Sequence, residues 1–389
     1  MDKKPDAYDP KKALRMVFGN NPDQHILNVV RESCREAFSL PSFNTTLQTI
    51  KSHFYDRNYD AVFQNPEHLP VYSARYAPSR ALCYYHLFLE HPVLMKILEG
   101  GPSTILCIGS GAGSELVGIT AAMVHANPAL KIKKKKVISK TKDKVDLQEE
   151  EDGQQVVEHG SEACTPTESV NEEAQPPQEA TSSGKGHDNT LGMEKLSVTE
   201  DTADAATTTE ELPPPTKSAV KKKGRSNRHQ VTIVMQDYVD WSPILTPMEE
   251  VIRRQMALGS ERLKCETEVG NVLDLSQSLL ERIARADLIT FMFVLNELFQ
   301  DKKRTMLLVA KIVAAMPSGA HMLVVDSAGS FSNLQVGERV YMVYMLLDHL
   351  RDLEIVYQDD STWYRCPPTV TYPLKLENMR HFIRIYKKL

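Results

Sequence analysis

The chain has 389 residues, 41% of them hydrophobic and 25% charged, with a formal net charge of −5. That balance excludes a histone-like binder driven by bulk charge and leaves any RNA affinity to local patches. The 6 cysteines form no CxxC pair and the 12 histidines no H-x-x-x-H pair, so a reducing compartment and no zinc site are expected, and the charged start Met-Asp-Lys-Lys-Pro with no long apolar run predicts an intracellular protein without signal peptide or membrane span.

From His25 to Phe63 apolar residues recur at three- and four-residue steps. Ile26, Val29, Val30, Cys34 and Phe38 come first, then Leu47, Ile50 and Phe54 after a break at Pro41. This predicts a helical extension occupying residues 1–70. Between Tyr72 and Leu89 the pattern predicts a short extended piece ending at Pro78, with Ser79 capping a helix through Arg80, Leu82, Tyr84 and Leu87.

The run Ile105 to Glu115, Ile-Leu-Cys-Ile-Gly-Ser-Gly-Ala-Gly-Ser-Glu, reads as a buried strand turning sharply into a helix that spans Leu116 to His125. Gly109, Gly111 and Gly113 remove Cβ atoms where the backbone must bend and let a ligand approach its amides. Their G-x-G-x-G spacing, followed by Glu115, departs from the G-x-G-x-x-G of dinucleotide binders and favours a methyltransferase loop curled around S-adenosylmethionine (SAM). A glycine-rich turn without a ligand is the alternative.

Residues 71–130 form the first part of the main domain in this reading. From 131 to 228 lysine runs, acidic runs, Pro213 to Pro215 and a near absence of aromatics predict a disordered insertion. Lys133 to Lys136 and Lys221 to Lys223 flank it, as a nuclear localisation signal, RNA-tethering tails or merely solvated charge. The domain resumes over 229–389.

Val231 to Gln236 is the second strand and ends at Asp237, whose carboxylate can accept from both ribose hydroxyls of an adenosyl group; a turn-forming aspartate is the other reading. Pro247 to Leu258 predicts a helix. Lys264 to Leu275 holds a third strand leading into Asn271 and Val272, candidates for the adenine edge and face, while Asp274 caps the next helix or shares that role. Asp287 to Leu295 is the strongest apolar strand, running through Phe293 and Val294 to Asn296-Glu297-Leu298. Asn296 suits contact with a planar imide and Glu297 suits accepting a proton; both equally suit capping of the following helix. A helix to Met316, a fifth strand from His321 to Val325, a helix from Val340 to Leu350 and two strands, Thr362 to Cys366 and His381 to Tyr386, complete the pattern. A reversed C-terminal hairpin on a parallel sheet marks the methyltransferase version of this architecture. The expected fold is therefore α/β, a Rossmann-like seven-strand methyltransferase sheet with helices on both faces, an N-terminal helical extension and a long disordered insertion.

Taken together, the segments Tyr55-Asp56-Arg57-Asn58-Tyr59, Arg75-Tyr76-Ala77-Pro78-Ser79-Arg80-Ala81-Leu82, Cys107 to Glu115, Leu295-Asn296-Glu297-Leu298, Val325-Asp326-Ser327 and Leu376-Glu377-Asn378-Met379-Arg380 resemble the fungal 25S ribosomal RNA uridine-N3-methyltransferase family. The resemblance implies SAM as cofactor, large-subunit ribosomal RNA or a pre-ribosome as partner, methylation of uridine N3, and a place in the nucleolus, nucleus or cytoplasm. Asn271 departs from the aspartate commoner at that point of such folds. Methylation at N3 requires opening or flipping the base and removing its proton, for which Asn296 and Glu297 are the candidates, with Asp326 and Ser327 behind them. Arg75 and Arg80 are candidates for the cofactor carboxylate or an RNA phosphate, Tyr76 for base stacking, and an arginine paired with a surface acid is the alternative; Arg380 is equally open. A methyltransferase acting on a protein or small molecule, and a non-catalytic ribosome-assembly factor that keeps the fold, are the competing functions.

Overall fold

Asp9 and Asn21 accept hydrogen bonds from the Lys11 and Gln24 amides, and Pro10 and Pro22 occupy the first helical positions behind them. Such caps start helices because they satisfy amides that have no partner in the first turn. In this computed structural model, which describes residues 9–127, 229–329, 333–336 and 339–389, they open α1 (Pro10–Phe18) and α2 (Pro22–Ser33). The expected disordered insertion, 131–228, lies outside the described residues. Then come α3 (Arg35–Phe38), α4 (Phe43–Tyr55), α5 (Tyr59–Phe63), α6 (His68–Glu90) and α7 (Pro92–Glu99).

The extended piece expected before Pro78 is absent: α6 is one continuous helix through that proline, and it crosses the 70/71 boundary drawn from sequence. A proline inside a helix leaves the carbonyl four residues earlier without its donor. Here that carbonyl, of Ala74, accepts from the Tyr372 hydroxyl at 2.9 Å. Ser79 is no cap; its hydroxyl accepts from the Glu377 amide at 3.0 Å. The C-terminal segment thus satisfies what Pro78 disrupts.

The sheet is built from β1 (Ser103–Ile108), β2 (Val231–Asp237), β3 (Leu263–Val269), β4 (Leu288–Met292), β5 (His321–Ser327), β8 (Leu353–Tyr364) and β9 (Met379–Lys388). Its order is β3-β2-β1-β4-β5-β9-β8, beside a separate ribbon of β6 (Asn333–Val336) and β7 (Arg339–Met342). Strands β1 to β5 are parallel, and β9 returns antiparallel between β5 and β8. This is the seven-strand methyltransferase sheet. The chain moves outward from β1 to β3, then crosses to β4, so the carboxyl ends of β1 and β4 form the topological switch point where doubly wound folds bind ligands.

Helices α8 (Ser114–Ala126), α9 (Ser242–Gln255), α10 (Gln277–Ile283), α11 (Leu295–Leu298), α12 (Lys302–Ala315) and α13 (Val343–Asp348) complete the layers. One apolar core joins the N-terminal helices, α8 and α9 to one face of the sheet, around Ile105, Cys107, Ile233 and Leu288. Another joins α10, α12 and α13 to the opposite face, around Leu106, Ile108, Ile289 and Val324. The alternation along β1 is what the period of a strand buried on both faces requires. Among the described residues no helix is long and apolar enough to cross a membrane.

Several element bounds differ from expectation. β4 stops at Met292, because Phe293 takes a left-handed φ of 60° and Val294 opens a helical turn. α9 begins at Ser242, five residues before Pro247, with Pro243 in its first turn. Val340 to Met342 belong to β7 rather than to a helix. β8 starts at Leu353, far upstream of Thr362, along a mostly exposed edge. At the amino edge, the Arg262 guanidinium donates to the Asn127 carbonyl at 3.0 Å while the Arg262 carbonyl accepts from the Val231 amide at 2.8 Å.

Candidate active site

A cavity of about 290 Å³ opens at the switch point. Its floor is the turn after β1. Gly109 and Gly113 sit at φ of 68° and 83°, a region closed to residues bearing a Cβ except at a cost. Gly111 is held by proximity: a Cβ there would strike the Trp241 indole. The Gly111 amide donates to Asp237 Oδ2 at 3.0 Å and the Val239 amide to Oδ1 at 3.1 Å, so one carboxylate braces both loops. Burial pushes the Asp237 pKa up, opposed by the Val239 and Gly111 amides. The buried Trp241 Nε1 makes no hydrogen bond within the described protein.

Asn271 and Val272 follow β3 into the cavity wall with Leu273. The Asn271 side-chain oxygen accepts from the Leu273 amide at 3.0 Å, capping the short 3-10 turn Val272–Asp274. Asn271 keeps its amide NH2 for other contacts, while the next helix is capped by Ser276 rather than by Asp274, which pairs with Arg304.

On the far side α11 carries Glu297 into the lining. Burial raises its carboxyl to about 8, opposed by Arg80 and reinforced by Asp326 and Asp237. Glu115, buried at the start of α8, is also pushed up to about 8 by burial, against its own amide and Arg80. Arg80 lies among these acids with one guanidinium hydrogen bond among the described residues, to the Tyr72 hydroxyl at 3.0 Å, and its charge 5.2 Å from the Phe293 ring centroid. Burial would lower its pKa, but Tyr72, Tyr84, Glu115 and Glu297 outweigh that and keep it a cation. Its remaining donors suit a carboxylate or an imide oxygen.

Asp326 stands behind this wall. Its carboxylate accepts from the Ser327 amide at 2.7 Å and the Asn296 amide at 3.3 Å, fixing the turn that presents Glu297. Burial lifts it to about 6, against those two amides.

The structure thus brings together Gly109, Gly111, Glu115, Asp237, Asn271, Val272, Arg80 and Glu297 around one cavity. Other expected residues are not in its lining. Arg75 donates to the Lys375 carbonyl at 2.7 Å and pairs with Glu377, so it pins the C-terminal segment to α6. Five residues separate it from Arg80, about 140° around a helix, and that rotation takes it off the site. Gly113 serves the turn and packs against Met248. Asn296 contributes its amide to Asp326, and its side-chain oxygen is buried without a described partner. Tyr76 is likewise outside the lining, packed between Arg75 and Arg80.

Sequence reasoning passed over the aromatic wall. Tyr59, Asp60 and Phe63 from α5, Tyr72 from α6 and Tyr238 after β2 all line the cavity with Trp241. Phe63 lies edge-on to Tyr72, Tyr238 and Trp241, with ring centroids 5.0, 6.5 and 6.1 Å away. The signal was the aromatic density of Tyr55 to Phe63, which helical periodicity alone assigns to packing.

The chain matches a family model described as SAM-dependent methyltransferase over residues 30–212 and 197–387. It is 24% identical over 418 residues to the 25S rRNA (uridine(2843)-N(3))-methyltransferase of Saccharomyces cerevisiae, a match covering 99% of this chain and 91% of that protein. Among solved structures, TehB from Haemophilus influenzae matches 41% of this chain and 50% of its own at 12% identity and a TM-score of 0.26. A SAM-dependent methyltransferase from Methanosarcina mazei matches 41% of this chain and 82% of its own at 15% identity and a TM-score of 0.27.

Proposed function

We propose, on the premise that this chain belongs to the family of SAM-dependent methyltransferases whose model spans it, that it methylates N3 of a uridine in large-subunit ribosomal RNA. The yeast relative named for that activity supports the acceptor over the whole chain length. The observation that carries the proposal is that a half-buried acid, Glu297, and a half-buried cation, Arg80, share the cavity wall with the glycine turn and Asp237.

The cofactor half fits SAM: the glycine turn leaves room for a backbone-lined cradle, Asp237 suits the ribose hydroxyls, and Asn271 with Val272 suits the adenine. When bound, SAM supplies an electrophilic methyl group on a sulfonium. The protein's own part is to orient the acceptor and take its proton. Uridine N3 carries a hydrogen between two carbonyls, so a new N3–carbon bond requires that proton to leave. Ionised Glu297 accepts it, while Arg80 donates to an imide oxygen and Tyr59 and Phe63 flank the flipped base. With the methyl supplied from the sulfonium and a neutral thioether as the leaving group, the proton would end on the Glu297 carboxyl. Alignment in a closed, aromatic-lined site supplies much of the rate.

The test is transfer of labelled methyl from SAM to ribosomal RNA taken from cells lacking the protein, with nucleoside mass spectrometry of the product. N3-methyluridine is the expected product. Label confined to protein or to a small molecule would overturn the RNA acceptor, and label on a ribose or another base would overturn the N3 chemistry.

A further inference from the structure

We infer that Trp363, Arg365 and Arg380 form a platform that holds a single-stranded nucleotide flanking the methylated uridine. The inference rests on the RNA reading above and adds a contact site to it. Trp363 is one of two tryptophans in the chain, and it is 52% exposed. The other, Trp241, is buried at the cofactor site. Along the end of β8 and just past it, Ser361, Trp363 and Arg365 are exposed while Thr362, Tyr364 and Cys366 are half-buried, so one face of the edge strand packs inward and the other presents the indole to solvent.

The surroundings of that indole are cationic. The Arg365 guanidinium lies 5.3 Å from its ring centroid. Arg380, its cross-strand partner, is exposed and is steadied by a 2.8 Å hydrogen bond from Nε to the Ser361 hydroxyl. Neither arginine has an ion-pair partner among the described residues. The neighbouring acids are occupied elsewhere: Asp359 accepts from the Ser361 amide, Asp360 pairs with Arg384, and Glu377 pairs with Arg75. An exposed indole flanked by two guanidinium groups whose charges have no acidic partner among the described residues complements a base beside its phosphates, since a base stacks on the open face of the ring and the phosphates meet the arginines. A protein partner's apolar surface would leave both charges unmatched.

The platform stands on the catalytic edge of the sheet. Trp363 lies near the carboxyl end of β8, opposite Arg380 of β9, and the next β9 residues, His381 and Phe382, pair with Ser327 and Asp326 of β5. Asp326 is the residue that fixes the turn carrying Glu297. From β4 through β5 and β9 to β8 is three interstrand steps, about 14 Å. That separation excludes the platform from the reacting base and assigns it to a neighbour on the strand.

The experiment titrates the full chain with a short single-stranded oligouridylate, reading tryptophan fluorescence, and then measures methylation of ribosomal RNA. In the parent protein, stacking quenches the emission of Trp363, and Trp363→Phe removes that quench. Trp363→Ala weakens RNA binding on the order of 5- to 150-fold and raises KM for RNA, with SAM affinity and kcat unchanged; Arg365→Ala with Arg380→Ala also lowers the salt dependence of binding. Oligouridylate binding with no change in Trp363 emission and no loss in Trp363→Ala overturns the platform while leaving the RNA acceptor in place. Failure of the parent protein to bind or methylate any RNA overturns both.

Discussion

Replacing Asp237 by alanine removes the acceptor for two loop amides, Gly111 at 3.0 Å and Val239 at 3.1 Å. Gly111 is buried and Val239 half-buried, so one donor is left wholly without a partner and the other reaches some water. A buried unsatisfied amide costs about 1–3 kcal/mol, which places the loss of stability at about 2–4 kcal/mol. At about 2–4 °C per kcal/mol for a unit of this size, the melting temperature falls on the order of 4–16 °C. Cofactor affinity falls further, because a carboxylate accepting from two ribose hydroxyls contributes about 1.5–3 kcal/mol per charged hydrogen bond. Calorimetric titration with SAM at a temperature where the variant is folded should show at least about 100-fold weaker binding. Asp237→Asn keeps one acceptor oxygen for the loop, so it should melt closer to the parent while still binding SAM poorly. Folded Asp237→Ala protein with parental affinity would refute the assignment of the ribose to this strand end.

Gly111→Ala drives a methyl group into the Trp241 indole; overpacking of this kind costs about 1–3 kcal/mol, and denaturant melts together with loss of SAM binding measure it. Glu297→Gln should lower kcat about 10²–10⁴-fold. It should also remove the ascending limb of the parental pH profile, because the base is the ionised form and its fraction falls as pH drops below a carboxyl near 8 in the free protein, a value that already includes the lowering by Arg80; the positive charge of a bound sulfonium would move that limb to lower pH. Tyr372→Phe orphans the Ala74 carbonyl beside Pro78 and should destabilise by about 1–3 kcal/mol in urea unfolding, without changing KM for SAM.

The parallel core was legible because strands buried on both faces are written as mostly apolar runs: Ile105 to Ile108 falls in β1, and Val231 to Met235 and Leu288 to Met292, each with a single threonine, fall in β2 and β4. The cofactor half followed, since its residues sit at strand ends, where sequence position and spatial position coincide. Edges were harder. β8 exposes most of its length, so Leu353 to Asp360 carries no alternation to read. Pro78 signals a break by every local rule, and only a hydroxyl nearly 300 residues away, that of Tyr372, makes the helix tolerable. Arg75 and Arg80 are indistinguishable as types; their different fates depend on the helical rotation between them. The acceptor half was least legible because α5 supplies it from the N-terminal extension, and nothing local ties Tyr59 to a turn more than 230 residues later that carries Glu297.

Arg262 gives the amino edge of the sheet an unusual kind of freedom. Its guanidinium holds the end of α8 at Asn127, and its carbonyl holds the start of β2 at Val231. One residue therefore staples together two chain ends that are about a hundred positions apart in sequence. The folding unit is discontinuous along the polypeptide and continuous in space. A socket of this type, on the rim opposite the chemistry, accepts inserts of widely different length, because lengthening a loop twentyfold adds only about 2–3 kcal/mol of closure entropy. Closing the socket between Asn127 and Val231 with a short Gly-Ser bridge is therefore expected to leave the melting temperature and SAM affinity at parental values, which calorimetry of the shortened chain checks.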